Sequence, residues 1–251
     1  MKRKLLIGTV FGMGLACCIF LEQPAADPGK VISVPPEMSI PWATGSIEPD
    51  GRLDDPLWKK ARILRLVDNQ TAGRPGQWTK VRAIRNDTFL YIGFNCEDRE
   101  VVATLTRRDD NLWKEDAVEI FLDPVGDGRD YLEIEVNPLG TLYDAWVHFS
   151  PNIDFDKSKT FDMKDIRVAA KIARNPGTRA DRNWACEIAL PLAELPTPMT
   201  TAARMNLTRI DRVRGQVVYQ AWSPTYRWFH VPERFGKIFF KRRIEAASSS
   251  P

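Results

Sequence analysis

Residues 113–137 read WKEDAVEIFLDPVGDGRDYLEIEVN, and their reading decides the fold. Two runs with a period of two flank a loop rich in Asp and Gly. In the second run, Leu132, Ile134 and Val136 fall on one side while Tyr131, Glu133, Glu135 and Asn137 fall on the other, because successive side chains of a strand alternate. In the first, Val118, Ile120 and Leu122 form the apolar set, and Glu119, Phe121 and Asp123 the other. DPVGDGRD between them supplies the residues that reverse a chain. The pair reads as two antiparallel strands with one face on a core and the opposite face wet but aromatic.

Working outward, the same signature recurs. Strands are expected at 80–85 and 89–95, around the turn residues Asn86 and Asp87, and at 142–149, 166–173, 184–190, 205–213, 217–222 and 237–241. Helical periodicity is confined to short stretches at 56–61 and 192–195. Many short strands with regular turns predict an all-β fold, an antiparallel β-sandwich of jelly-roll-like form with few short helices.

The flanks read differently. Lys2, Arg3 and Lys4 precede an apolar run at 5–21, so residues 1–22 are an export segment. Within it GLACC at 14–18 is similar to the lipidation site of bacterial lipoproteins, with Cys17 and Cys18 as the candidate lipid carriers. An uncleaved anchor or a cleaved signal are the other readings. The expected location is therefore the periplasm, the outer membrane as a lipoprotein, or the cell surface of a bacterium. Residues 23–41 read as a Pro-rich linker, 42–243 as the sandwich and 244–251 as a disordered tail.

Lys and Arg total 36 against 33 for Asp and Glu, and no stretch gathers the excess, which argues against a nucleic acid partner. The two histidines, His148 and His230, are too few and too far apart for a zinc signature. Behind the leader Cys96 and Cys186 remain, either a disulfide or two buried thiols. A load of 8 Trp matters more. A pyranose offers C–H patches on its faces and hydroxyls at its rim, so an indole can cover the one while carboxylates take the other. Trp113 near Glu119, with a further aromatic such as Trp222, supplies that chemistry.

Five pieces carry a resemblance to a known family: DGRLDDPLWKKA at 50–61, NLWKEDAVEIFLDP at 111–124, YLEIEVNPLGTLYDA at 131–145, WACEIALP at 184–191 and WSPTYRWFHVPERFGKIFF at 222–240. In this order they resemble the family 9 carbohydrate-binding modules over about 51–240, nearly all of the chain behind the leader. The resemblance implies a sandwich that grips a sugar between two tryptophans, in the best-understood members at a chain's reducing end, with calcium supporting loops. Trp113 matches the first indole and Glu119 the carboxylate after it. Trp222 is assigned as the second, with Trp228 close by as the alternative. Asn137 and Arg209 fall in segments that resemble the polar rim. Trp58 and Trp184 read as core, and His230 as structural. Many relatives are attached to a glycoside hydrolase, and no catalytic domain is read here.

The expected function is thus non-catalytic binding of mono-, oligo- or polysaccharide, sugar units or reducing ends of plant-type polysaccharides, by a monomer that meets a membrane only through its N-terminal anchor. No cofactor is required. Structural calcium is a candidate at Asp123, Asp127 and Asp130, hard oxygen ligands in one turn. Rival readings are a glycoside hydrolase using Glu119, Glu133 or Glu135, a haem-binding redox sandwich with His148 or His230 and Met163, Met199 or Met205, and a surface scaffold that binds protein.

Overall fold

The computed structural model describes residues 34–150, 152–174 and 181–241. The stretches read as export segment and tail, and most of the one read as linker, lie outside them, as do Cys17 and Cys18. Two sheets face each other. The larger runs β1 (Glu37–Ile40), β13 (Gly236–Phe240), β11 (Arg204–Val213), β6 (Ala117–Asp123), β7 (Asp130–Val136) and β8 (Leu142–His148), with β12 (Gln216–Ala221) and β3 (Val67–Asp68) continuing from β11. The smaller is β2 (Leu64–Arg65), β4 (Thr79–Arg85), β5 (Phe89–Glu97), β10 (Asp181–Pro191) and β9 (Arg167–Arg174). All pairings are antiparallel except β1 with β13.

The alternation read from 113–137 builds the interior. Val118, Ile120, Leu122, Leu132, Ile134 and Val136 meet Phe94, Trp184 and Ile188 from the other sheet in one core. The β4–β5 turn forms because the Asn86 side chain accepts from the N–H groups of Thr88 and Phe89. Among the described residues helix is limited to one turn, α1 (Phe155–Ser158), and four 3-10 turns, two of them at Pro56–Lys60 and Leu192–Glu194.

Three expectations are corrected. The linker ends earlier than residue 41, because Glu37–Ile40 pairs in register with Lys237 to Phe240 and buries Met38 and Ile40. The second face of β6 and β7 is not wet: Phe229 and Phe235, from the segment after β12, close over Phe121, Tyr131 and Tyr143 as a second apolar layer. Cys96 and Cys186 are free buried thiols. Cys96 lies opposite Trp184 and Cys186 opposite Phe94. The two are diagonal neighbours, about 7–8 Å apart at Cα by sheet geometry, beyond the usual disulfide span.

On the outer side of the smaller sheet, the segment containing DGRLDDPLWKKA forms a cap. Trp58 Nε1 donates to Glu187 Oε1 at 2.7 Å, and the N–H groups of Asp50 and Gly51 donate to Glu187 Oε2. Gly51 has φ +77, and a Cβ there would stand 2.9 Å from the backbone of Ala170 and Lys171, so only glycine lets the cap lie this close.

Candidate functional site

The four carboxylates of the 113–123 stretch have four different tasks. Glu115 accepts from Thr104 N–H, Thr104 Oγ1 and Leu105 N–H, which holds the 104–105 loop and keeps its carboxyl below the usual range despite partial burial. Asp116 accepts from Val102 N–H and Arg212 N–H. Arg212 also donates to the Trp113 carbonyl at 3.2 Å, so the turn that carries Trp113 is stapled to β11. Asp123 organises the following loop. Glu119 alone faces the second layer between β11 and β7.

Register then places a row of side chains across four strands. Thr208 of β11 lies opposite Glu119 of β6, Glu119 opposite Glu135 of β7, and Glu135 opposite Tyr143 of β8. Glu133 occupies the next row, opposite Phe121. Glu119, Glu133 and Glu135 are each about 97% buried or more. Thr208 Oγ1 donates to Glu119 Oε2 at 2.6 Å, and the Trp113 N–H donates to Glu135. One Glu135 oxygen, Oε2, is buried with no partner among the described residues. Burial lifts the Glu119 carboxyl to about 7; burial and then the neighbouring glutamates lift Glu133 and Glu135 well above the usual range.

His230 links this row to the second aromatic. Its Nε2 is 3.3 Å from Glu133 Oε1 and its Nδ1 2.7 Å from the Tyr131 hydroxyl. Burial lowers the imidazole to about 3, so it is neutral at pH 7. Both ring nitrogens are engaged, Nε2 with the Glu133 carboxyl and Nδ1 with the Tyr131 hydroxyl. The Trp228 ring lies 5.0 Å from the imidazole, half-buried at the rim. Trp113, 47% exposed, stands on the Glu135 side. Two indoles thus border one face that carries three carboxyls.

The sequence-derived site is only partly assembled. Trp113 and Glu119 belong to this face. Trp222 does not: it is buried in the inter-sheet core, its ring filling the space where a Cβ on Gly236 would come within 2.6 Å. Arg209 is one residue out of phase with Thr208 and points into the sandwich. There its Nη2 meets Asp98 Oδ2 at 3.0 Å and Asp211 Oδ1 at 2.8 Å, and its Nη1 meets the Glu97 carbonyl. Asn137 accepts from Leu139 and Thr141 N–H and donates to the Leu105 carbonyl, which builds the β7–β8 turn. Glu133, Glu135, Thr208 and Trp228 take the places these residues were expected to fill. The alternation of YLEIEVN already put both glutamates on the Glu119 side.

The calcium candidates do not converge. Asp123 accepts from the N–H groups of Val125, Gly126 and Gly128, Asp127 from that of Arg129, and Asp130 contacts His148. Asp123 is engaged by three backbone donors, and the three carboxylates do not come together as one cluster of ligand atoms. The carboxylates that do approach within 4.8 Å of one another are Asp98, Asp116 and Asp211, and Arg209 already supplies the positive charge there. The haem candidates are also apart: Met163 and Met205 are in the inter-sheet core with Met199 packed against it, His148 is exposed, and His230 is held by Tyr131 and Glu133. A groove of about 460 Å³ lies elsewhere, along β8 and α1, between Trp146 and Phe161 on one side and His148, Asp154 and Lys157 on the other.

A family model described as carbohydrate family 9 binding domain-like matches residues 49–242. Solved structures share the fold. A proposed carbohydrate-binding protein from Bacteroides uniformis superposes with a TM-score of 0.65 at 16% identity, covering 82% of this chain and 100% of that one. A carbohydrate-binding module of family 9 from Caldicellulosiruptor kristjanssonii in complex with cellotriose gives 0.59 at 17% identity, over 86% and 98%. The module from the same organism in complex with glucose gives 0.58 at 16%, over 84% and 99%. No curated protein sequence matches.

Proposed function

The chain belongs to the carbohydrate family 9 binding domain-like proteins, and on that premise we propose that it binds carbohydrate without altering it, at the face between Trp113 and Trp228. The observation that carries this is the row Thr208, Glu119, Glu135, Tyr143 bordered by two indoles, a polar floor between apolar walls. The indoles cover the C–H faces of a pyranose. Glu119, ionised in part near neutral pH, accepts from sugar hydroxyls, and Glu133 and Glu135, whose carboxyls burial raises well above the usual range, add further carboxyl oxygens beside it. Relatives of this fold bind cellotriose and glucose, which supports a neutral glucose-type unit as the ligand and plant-type polysaccharide as its source.

Binding without turnover is supported by the arrangement of the acids. A glycosidase flanks one bond with two carboxyls from opposite sides. Here all three stand side by side on one sheet face. The basic and apolar start of the chain supports export and tethering at a bacterial surface, where a monomer captures polysaccharide for degradation.

Calorimetric titration with glucose, cellobiose, xylobiose and their alditols tests the reading. Binding of sugars but not alditols, lost in Trp113→Ala, identifies reducing-end capture; binding of both identifies recognition of internal units. No heat with any of them from a folded protein refutes the proposal, and release of glucose from cellobiose refutes its non-catalytic part.

A further inference from the structure

The outer face of the smaller sheet carries a charge pattern that the sequence disperses. Arg65 of β2 pairs with Lys80 of β4, Lys80 with Asn95 of β5, Asn95 with Ala185 of β10, and Ala185 with Lys171 of β9. Directly paired residues share a face, so the five form one row across the whole sheet. The parity is fixed from the other side, since Leu64, Val81, Phe94, Cys96 and Cys186 are all core. Arg82, two residues along β4, adds a fourth cation.

None of these four cations pairs with a carboxylate among the described residues. Two acids of this face are already engaged: Glu97 pairs with Arg99 at 3.1 Å, and Glu187 is buried under Trp58, Asp50 and Gly51. Lys80 is held above the Trp78 ring at 4.2 Å. Between the cations lie buried Ala185 and two half-buried amides, with Asn183 Nδ2 donating to Asn95 Oδ1 at 3.2 Å. At sheet spacing, Lys80 and Lys171 stand about 14 Å apart, three strands from one another.

We propose that this row is a second binding surface, separate from the Trp113 face, for an acidic polysaccharide: uronate carboxylates seat on Lys80, Arg82 and Lys171 while the Asn95 and Asn183 amides take hydroxyls. Charge complementarity selects an anion. The wide spacing selects a polymer with separated carboxylates over one with the dense charge of a phosphate backbone, about one charge per 1.7 Å of duplex. The amide floor suits a hydroxyl-rich chain lying flat.

Affinity electrophoresis of the whole protein in gels containing polygalacturonate, hydroxyethylcellulose or duplex DNA tests this, with sedimentation on phosphatidylserine vesicles beside it. The expected result is retardation by polygalacturonate that weakens with salt and falls about tenfold or more in Lys80→Gln/Lys171→Gln. That variant keeps the melting temperature and the sugar binding of the Trp113 face, and Trp113→Ala keeps the retardation by polygalacturonate. The proposal is overturned by absent retardation, by retardation unchanged in the double variant, or by DNA or vesicles retaining the protein as strongly as polygalacturonate. Because cellobiose titration reads the other face, failure here leaves the first site standing.

Discussion

Glu119 and Glu135 stand directly opposite one another on β6 and β7, both buried, and neither forms an ion pair among the described residues. Like charges so placed repel, and burial penalises each charge further. The pair persists because its carboxyls hold protons to higher pH. Glu119 rises from an ordinary 4.5 to about 7. A carboxyl raised on folding binds more protons in the native state, so its contribution is lost as pH climbs from about 4.5 through 7.

Thermal melts across pH therefore separate this pair from the rest. Glu119→Gln keeps the acceptor for Thr208 but removes the charge. It should match the native protein near pH 5 and exceed it by roughly 2–3 kcal/mol near pH 8. His230 has the opposite sign: lowered to about 3, it costs stability as pH falls below 6.5. Parallel curves for Glu119→Gln and the native protein would contradict the assignment.

The two tryptophans assigned from sequence should part company. Trp113→Ala, at an exposed site, should change stability by under about 1 kcal/mol while weakening sugar binding by about 1–3 kcal/mol. Trp222→Ala removes a core ring and should cost about 3–5 kcal/mol of stability. Denaturant titration paired with calorimetry on both variants checks this, and a stable Trp222→Ala that has lost only binding reverses the two roles.

Arg209 neutralises Asp98 and Asp211 inside the sandwich. Removing one partner leaves charge buried without compensation, so Arg209→Met should destabilise by about 3–5 kcal/mol. The native protein, with its loop aspartates bonded to backbone N–H groups, should melt at the same temperature with and without EDTA. A drop of several degrees on chelation would point to a cation that these contacts do not accommodate.

Burial pushes the Cys96 thiol up to about 12 and holds Cys186 well above its ordinary value too. Neither should react with iodoacetamide in the folded protein, and both should react after unfolding. Peptide mass mapping reads this directly, and a disulfide-linked peptide of the two would contradict the diagonal register.

Most strand limits were legible because alternation and turn residues are local signals; the order of strands within each sheet was not, since it pairs segments distant in sequence. Val118 to Asp123 and Leu132 to Val136 declared their core face in six and five letters. The closure of Phe229 and Phe235 over the second face was not legible, since it comes from a segment about 100 residues away. For the same reason Glu119 read as wet. Arg209 was misplaced by a single residue of phase, because RMNLTRIDRV carries polar side chains on both faces of β11, and only the positions of Asp98 and Asp211 show which side takes the guanidinium. Trp222 and Trp228 lie in one aromatic-rich stretch of sequence, and pairing of β12 with β11 decides which indole turns inward.

The crystal structure of the protein with cellotriose tests the central claim most directly. One glucosyl ring is expected between the indoles of Trp113 and Trp228, with a hydroxyl within hydrogen-bond distance of Glu119. A ring seated instead in the groove between Trp146 and Phe161, with the Trp113 face empty, would contradict the account.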